Sequence, residues 1–558
     1  MASVDKWTIA RALDEIAQYL ELSDPNPFRS RAYERAARAV ENLDRDIGEL
    51  ATSGDLYKTP GIGKGIGPII AELLESGKSR YLEELRAQYP PGIFDLLRVP
   101  SLGLKKIGVL HSTFGIGSLD DLEEAAKEGK LAKLRGFGAK TQQKILDGIE
   151  KARRRENRFH LPTGLEVATL VRERLAQIDA VQDAEITGSV RRRLEVVRNV
   201  NIAVSTRDIE KVSRELARYL DQWQQLDDTT WKGVARNEID VLVHFAEPKD
   251  FGLTVFRTTG STEFVTAFEN KAARITSAKN EEQVFEKAGI AYLEPERRES
   301  ADELRRKRRP SLLEPAQLRG TFHVHTTYSD GRNTVREMLE ASRDRGFEYV
   351  GISDHSKAAY YAGGLTESKL NEQQAEIARH EDDVAPMRVF RGSEVDILPD
   401  GTLDYDKKTR AKFEFTVASV HSRFNMPIDE MTDRILRAMD DPDMTFLGHL
   451  TGRKLLVRDG YSVDFDRIFD KAAERGIIIE INGNPYRLDV DWRHIGRAIE
   501  RGVVFSIHPD AHSIAELSHV ISGTWVARKA GLSAKHIFNT RSAEEVEEHF
   551  HARAALRR

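Results

Sequence analysis

The sequence predicts a multidomain protein of α+β and α/β class, with a helical N-terminal part, a mixed middle and a C-terminal βα barrel. Three observations carry this. The chain has 558 residues, which at about 150 residues per domain asks for three or four domains. Its periodicity changes twice. Helical spacing broken by glycine clusters runs to about residue 155, strand-like runs between helices follow, and short apolar strands alternate regularly with helices after about residue 320. Only three of the 16 histidines, His111, His160 and His244, precede residue 320, so the last region concentrates the metal-capable side chains. The formal charge of −5 excludes a uniformly basic nucleic-acid coat and leaves polyanion binding to local patches or backbone amides. With no cysteine, disulfides, thiolate metal sites and Cys nucleophiles are excluded. No apolar run reaches the roughly 18 residues of a membrane span, and the acid-containing amphipathic start predicts a cytoplasmic protein without membrane contact.

Three segments of the helical part share one grammar: TPGIGKGIGPIIAELL from Thr59, VPSLGLKKIGVLHSTFG from Val99 and LRGFGAKTQQKIL from Leu134. In each, an apolar helix end leads into a glycine turn, and a basic residue follows before the next helix. Glycine permits positive φ, so loop amides can turn outward at a helix N-terminus and hold a phosphate oxygen. The candidate residues are Gly61, Gly63, Lys64 and Gly65, then Gly103 and Lys105, then Gly136, Gly138 and Lys140. One copy reads equally well as an ordinary αα-hairpin; three copies in so short a stretch favour phosphate binding. The segments resemble the helix-hairpin-helix module, which grips the DNA backbone and reads no sequence.

In the middle region, ITGSVRRRLEVVRNVNIAV from Ile186 joins a strand, a Gly-Ser turn, paired arginines and a second strand. It resembles the nucleotidyltransferase signature of family X DNA polymerases, in which Gly-Ser and an arginine grip the triphosphate and three acids hold two Mg²⁺. By that resemblance Gly188, Ser189, Arg191 and Arg192 are the nucleotide-binding remnant, and Asp240 in EIDVLVHF is the third acid. The acidic pair is absent: its positions are Asn199 and Asn201. Two-metal phosphoryl transfer needs anionic oxygens to gather both ions, and neutral amides remove two charges. The next block, TGSTEFV with Gly260, carries Thr262, Phe264 and Val265 where bacterial members have lysine, histidine and asparagine. The expectation is a polymerase fold that is inactive or weak and does not bind Mg²⁺; the alternative is a residual, Mn²⁺-dependent synthesis.

The C-terminal strands TFHVH, YVGIS, RVFRG, FTVASV, MTFLGHL, IIIEI and VVFSI are followed by polar residues at their ends. In a βα barrel, strand C-termini open into one mouth, so ligands scattered along the chain converge. The candidates are His323, His325, Asp330, His355, Glu394, His421, His449, Asp510 and His512. His323 and His325, two apart, are expected on one face of their strand, and Asp510 and His512 repeat the device. Imidazole with carboxylate suits Zn²⁺, Mn²⁺ or Fe²⁺. His380, His494, His519, His536, His549 and His551 are expected to be bland. This constellation resembles the PHP (polymerase and histidinol phosphatase) domain. The resemblance implies a trinuclear centre, with His323, His325, Glu394 and Asp510 on one metal, Glu394 bridging to a second held by His421 and His449, and Asp330, His355 and His512 on a third. It implies a metal-bound water as nucleophile, supported by Arg423 and Arg453, and phosphoester hydrolysis as the reaction.

Together the segments resemble a bacterial family X DNA polymerase with a C-terminal PHP domain. That organisation divides the chain into an N-terminal helical DNA-binding domain (1–90), a fingers-like helical region (91–158), a palm (159–245), a thumb (246–300), a basic Pro-interrupted linker (301–319) and the PHP domain (320–558). The family's PHP domain is a Mn²⁺-dependent 3′-5′ exonuclease active in DNA repair, so the expected partner is gapped, nicked or 3′-ended DNA, with Mn²⁺ or Zn²⁺ as cofactor. A DNA-binding scaffold and a small-molecule phosphatase are the readings from other classes.

Overall fold

The computed structural model describes residues 6–557 apart from 24–26, 42, 44–46, 60, 64, 101, 135–136, 155, 236–237, 273 and 306–310. The chain forms two compact units, Met1–Glu156 and Asn157–Arg558.

The first unit is helical, and its single apolar core runs from Ile9 to Ala152. Helix α1 (Lys6–Ser23) packs against α2 (Pro27–Glu41), and α3 (Gly67–Ser76), α4 (Leu104–Phe114) and α5 (Ala139–Arg154) each follow one of the glycine segments. The three hairpins repeat one hydrogen-bond pattern. Ile62, Leu102 and Phe137 are buried, and their amides donate back to Thr59, Val99 and Leu134. The following glycines, Gly63, Gly103 and Gly138, accept at their carbonyls from the first amides of the next helix. An added Cβ at any of these three would meet nothing within 4 Å, and the same is true at Gly65. The expectation of positive φ needs correction, since among the described hairpin-turn glycines it holds for Gly61 alone, at φ +97°, while Gly103 is extended at φ −98°. A fixed N-terminal amide turn over open space, rather than left-handed backbone, is what these glycines share. Lys64 and Gly136 lie outside the described residues, as does the side chain of Lys140.

The second unit opens with a five-stranded sheet of β1 (Val181–Thr187), β2 (Asn199–Thr206), β3 (Asp221–Gln225), β4 (Thr230–Val234) and β5 (Asp240–Ala246), in the order β1-β2-β5-β4-β3. β2 and β5 are parallel, with Asn199 opposite Asp240. The helices that follow bury Phe256, Phe264, Phe268 and Phe285 in one aromatic cluster. The stretch read as a linker is pinned at both described flanks. Leu304 enters that aromatic core, and buried Leu313 donates its amide to the Leu532 carbonyl at 2.8 Å. Apolar leucines within a polar, basic run explain the difference.

From residue 320 seven parallel strands follow in spatial order: β6 (Gly320–Val324), β7 (Tyr349–Ile352), β8 (Arg388–Asp396), β9 (Phe415–Ser419), β10 (Phe446–Leu447), β11 (Ile478–Asn482) and β12 (Phe505–His508). All seven apolar runs of the sequence become strands. The sheet curls into a nearly closed barrel, because Val324 bridges in parallel to Ala511 and the His325 amide donates to the Ala511 carbonyl at 2.8 Å. Lower on the same seam, the Asn539 side-chain amide donates to the carbonyls of Gly320 and Ile507 at 2.9 and 2.8 Å. An aromatic plug of Phe322, Phe390, Phe415, Phe446, Phe538 and Phe550 fills the interior below the polar mouth. Glycines in β7 and β8 make room for it, since a Cβ on Gly351 or Gly392 would stand 2.4 Å from Phe322 or 2.5 Å from Phe415. Gly392→Val therefore overpacks the plug, and we expect a loss of about 1–3 kcal/mol in stability, measured by urea unfolding. An unchanged midpoint would contradict this packing.

Candidate metal centre and nucleic-acid interface

All nine candidate ligands meet at the barrel mouth, and Glu394 is their centre. Its carboxylate lies 2.8 Å from His355 Nδ1, 3.1 Å from His449 Nε2, 3.2 Å from His323 Nε2 and His421 Nε2, and 3.7 Å from His325 Nε2. Asp510 Oδ1 is a second focus, 3.4 Å from both His323 Nε2 and His325 Nε2. Asp330 Oδ1 is a third, 3.3 Å from His512 Nε2 and 3.6 Å from His355 Nε2. Three carboxylates thus each gather imidazole nitrogens.

The backbone reaches this arrangement differently from simple strand alternation. His323 sits at a register irregularity in β6 with φ +62°, and Asp510 lies beyond the end of β12 with φ +52°. His325 and His512 also lie past their strands. The expectation that each pair shares a strand face is therefore replaced by two left-handed non-glycine residues, a conformation that costs about 1–3 kcal/mol each and persists where surrounding structure enforces it.

The chemistry of the cluster fits divalent cations. His323 Nε2, both ring nitrogens of His325, His355 Nδ1 and Glu394 Oε2 are buried with no hydrogen bond. An unpaired buried polar atom costs about 1–3 kcal/mol, and here five of them turn toward shared points. The outer atoms of His323, His421 and Asp510, by contrast, are held. The Glu480 carboxylate takes His323 Nδ1 at 2.6 Å and His508 Nδ1 at 2.9 Å, and Asp396 takes His421 Nδ1 at 2.7 Å. Asn482 donates to Asp510 at 3.1 Å. A carboxylate behind an imidazole fixes its tautomer and leaves the other nitrogen's lone pair facing inward.

The charges are tightly coupled. Burial opposes protonation of His323, His421 and His512, yet the adjacent carboxylates raise all three, His421 and His512 to about 9. Burial and the neighbouring His512 and His355 instead push His325 down to about 3. Glu394 and Asp510 are held well below the usual carboxylate range: burial opposes this, and the imidazoles around them, His323 foremost, overcome it.

Glu480, Asp396, Asn482 and His508 escaped the sequence reading, although a lone polar residue inside an apolar strand such as IIIEI is a legible signal. Asp354 is buried and holds the loop carrying Asp330, accepting from Thr326 and Ser329. The cleft above the cluster has a volume of about 580 Å³ and is lined on its basic side by Lys454, Arg458 and Arg487. Those are not the arginines anticipated. Arg453 is tied into backbone, donating to the Arg487 carbonyl at 2.8 Å and to Asp491 at 2.5 Å, and Arg423 does not line the cleft. Of the histidines expected to be bland, His380 pairs with Asp383, and His494 stacks on Phe465.

The five-stranded sheet tells the opposite story. Asn201 donates to Asn199 Oδ1 at 2.8 Å and accepts from His244 at 2.9 Å. Asp240 is engaged by Lys232 at 2.8 Å. Arg191 forks onto Glu281 at 3.0 and 3.1 Å, and Arg192 bonds Glu299 at 2.9 Å and the Thr259 carbonyl at 2.7 Å. Gly188 keeps its left-handed turn, and a Cβ there would meet Asn201 at 2.8 Å. Gly260 ends one helix, Ser261 caps the next, and Phe264 is in the aromatic core.

Comparison with known proteins follows the same division. Family models match at residues 5–79 (helix-hairpin-helix domain), 93–151 (SAM-like helix-hairpin-helix tandem) and 321–484 (PHP domain). The chain is 33% identical to the DNA polymerase/3′-5′ exonuclease PolX of Bacillus subtilis, across 97% of this chain and 98% of the relative. The chain belongs to the PolX family, the family X polymerases that carry a PHP domain. Probable phosphatases are similar to its C-terminal part: one from Clostridium acetobutylicum at 29% identity over 29% of this chain and 63% of the relative, and one from Caldanaerobacter subterraneus at 22% over 41% and 89%. The PHP match ends before Asp510 and His512, which the barrel's closure brings to the cluster.

Within this PolX chain the first hairpin lines a cleft of about 530 Å³ with Arg29, Tyr33 and Arg35 of α2 beside Gly61, Gly63 and Gly65. Lys105 is exposed at the start of α4. Gly63→Val should leave thermal stability unchanged, because the site is open, yet weaken duplex binding by about 1.5–3 kcal/mol, roughly ten- to a hundredfold, for unrelated sequences alike. Gly61→Val, forced into left-handed backbone, should instead lower stability by about 1–2 kcal/mol. Equal DNA affinity for wild type and Gly63→Val would refute phosphate binding at this turn.

Proposed function

We propose that this chain is a metal-dependent DNA phosphodiesterase that removes nucleotides from 3′ ends during DNA repair, and that its polymerase palm is retained without synthetic activity. The observation that carries the reading is the convergence of nine imidazole and carboxylate groups, six of their buried atoms unpaired, in a chain with repeated glycine-turn hairpins. In this reading His323, His325, Glu394 and Asp510 would hold one divalent ion, His421 and His449 with Glu394 a second, and Asp330, His355 and His512 a third. Ions bound there, Mn²⁺ or Zn²⁺, supply positive charge to polarise the phosphodiester and to make water a nucleophile near neutral pH. The chain's own residues do the rest. Glu480 and Asp396 fix the His323 and His421 tautomers, Arg487 steadies Asp510 at 3.3 Å, and Lys454, Arg458 and Arg487 face the phosphates of an entering strand. The hairpins hold DNA by its backbone, and the protein acts in the cytoplasm on gapped, nicked or 3′-ended DNA.

A 5′-labelled oligonucleotide incubated with Mn²⁺ tests this, run beside histidinol phosphate. Shortening from the 3′ end is expected; turnover of histidinol phosphate alone would make the protein a small-molecule phosphatase. His323→Ala and Asp510→Ala should each lower cleavage by more than about 100-fold, since even residues behind metal ligands cost 10–100-fold, while DNA binding stays near wild type. Full cleavage by both variants would sink the ligand assignment.

For the palm, the bonds among Asn199, Asn201 and His244 and the Lys232–Asp240 pair leave no anionic pocket. Wild type should not extend a primer in Mg²⁺. Asn199→Asp with Asn201→Asp should restore only trace incorporation, and adding Lys232→Ala should raise it by freeing Asp240. Robust wild-type extension would show that amides suffice for the chemistry.

A further inference from the structure

His160 belongs to the palm region in sequence, yet it touches the mouth of the barrel. Its Nε2–H donates to the Leu455 carbonyl at 3.0 Å, and its ring stands edge-on to Tyr486 at 4.8 Å. Leu455 lies inside a tight hairpin in which the Lys454 amide donates to the Arg458 carbonyl and the Arg458 amide returns the bond, at 2.9 and 2.7 Å. The Leu455 amide donates to the Tyr486 carbonyl at 2.8 Å, and Leu456 at the tip is left-handed at φ +60° without being glycine. Such a conformation persists only where neighbours hold it. The hairpin carries two of the three cations lining the cleft, Lys454 and Arg458.

His160 is itself rigidly mounted. It pairs with Val196 in a two-residue ribbon, and the Leu161 amide bonds the Glu195 carbonyl at 3.2 Å. The Glu195 carboxylate in turn pairs with Arg493 of the barrel domain at 2.7 Å. The cations it steadies repel one another. Burial lowers the pKa of Lys454 and of Arg458, and Arg487 beside both adds to the effect, so the hairpin gains from an external brace.

We infer that His160 is a positioning residue of the phosphodiesterase site: it braces the Lys454–Arg458 hairpin from the palm, so that both cations meet the phosphates of an entering strand. The inference rests on the function proposed above. The test uses the full chain with Mn²⁺ and an oligonucleotide substrate. His160→Ala removes one hydrogen bond and should raise KM about three- to tenfold with a smaller change in kcat. His160→Gln, whose amide can still donate to the Leu455 carbonyl, should restore most of the KM. An unchanged KM in His160→Ala, or a fall in kcat that matches any rise in KM, would overturn it. Hydrogen exchange of the 454–458 amides is read on the same proteins without substrate. Faster exchange in His160→Ala is expected, and unchanged exchange would also overturn the brace. If wild type leaves the oligonucleotide intact, the proposed substrate fails while the exchange measurement still decides the role of His160.

Discussion

Closure of the barrel is the constraint on which the site depends. His323 enters on the first strand and Asp510 follows the last, nearly 190 residues later, and they face each other only because β6 and β12 meet across the seam. The bridge at Ala511 and the side chain of Asn539 fasten that seam at two heights. Once it is shut, Glu394 on the third strand stands between residues from both sides, and its carboxylate lies within 3.7 Å of five imidazoles. The left-handed backbone at His323 and Asp510 is the local cost of aiming the two seam residues inward. The aromatic plug beneath leaves them no room to relax downward.

The architecture was legible wherever the chain obeys a simple period. Seven apolar runs between helices became seven strands, and polar residues at their ends became the mouth. The convergence of the nine candidate residues was legible for the same reason, since strand ends of a barrel share one opening. What escaped sits where local rules break. The turns at His323 and Asp510 violate strand alternation, so the common face expected for His323 with His325 and for Asp510 with His512 was the wrong route to the right neighbours. Glu480 and Asp396 were hidden because their partners lie on other strands, and only three-dimensional proximity shows that they back His323 and His421. Arg453 and Lys454 are adjacent in sequence, yet one is tied into backbone and the other lines the cleft. Spacing alone does not separate them.

In the five-stranded sheet the polar residues are satisfied by one another. Asn199 and Asn201 bond each other, and Asn201 also bonds His244. Asp240 takes a lysine. Arg191 and Arg192 have turned toward Glu281 and Glu299, and Glu281 in turn is paired with buried Arg298. Lys529 of the barrel domain reaches Glu299 at 2.6 Å and the Arg192 carbonyl at 3.0 Å, and its pKa is depressed to about 8 by burial. Arg191 and Arg192 thus help join the five-stranded sheet, the aromatic cluster that follows it and the barrel.

The seam fastened by Asn539 also sets an order of events during synthesis. Asn539 bonds the carbonyl of Gly320, 219 residues earlier in the chain, and Phe538 and Phe550 complete the plug. Until the last strand and Ala511 have been made, the first strand has no partner on its outer side. Contacts so distant in sequence form slowly. The helical N-terminal unit, whose core closes within about the first 150 residues, is complete long before that.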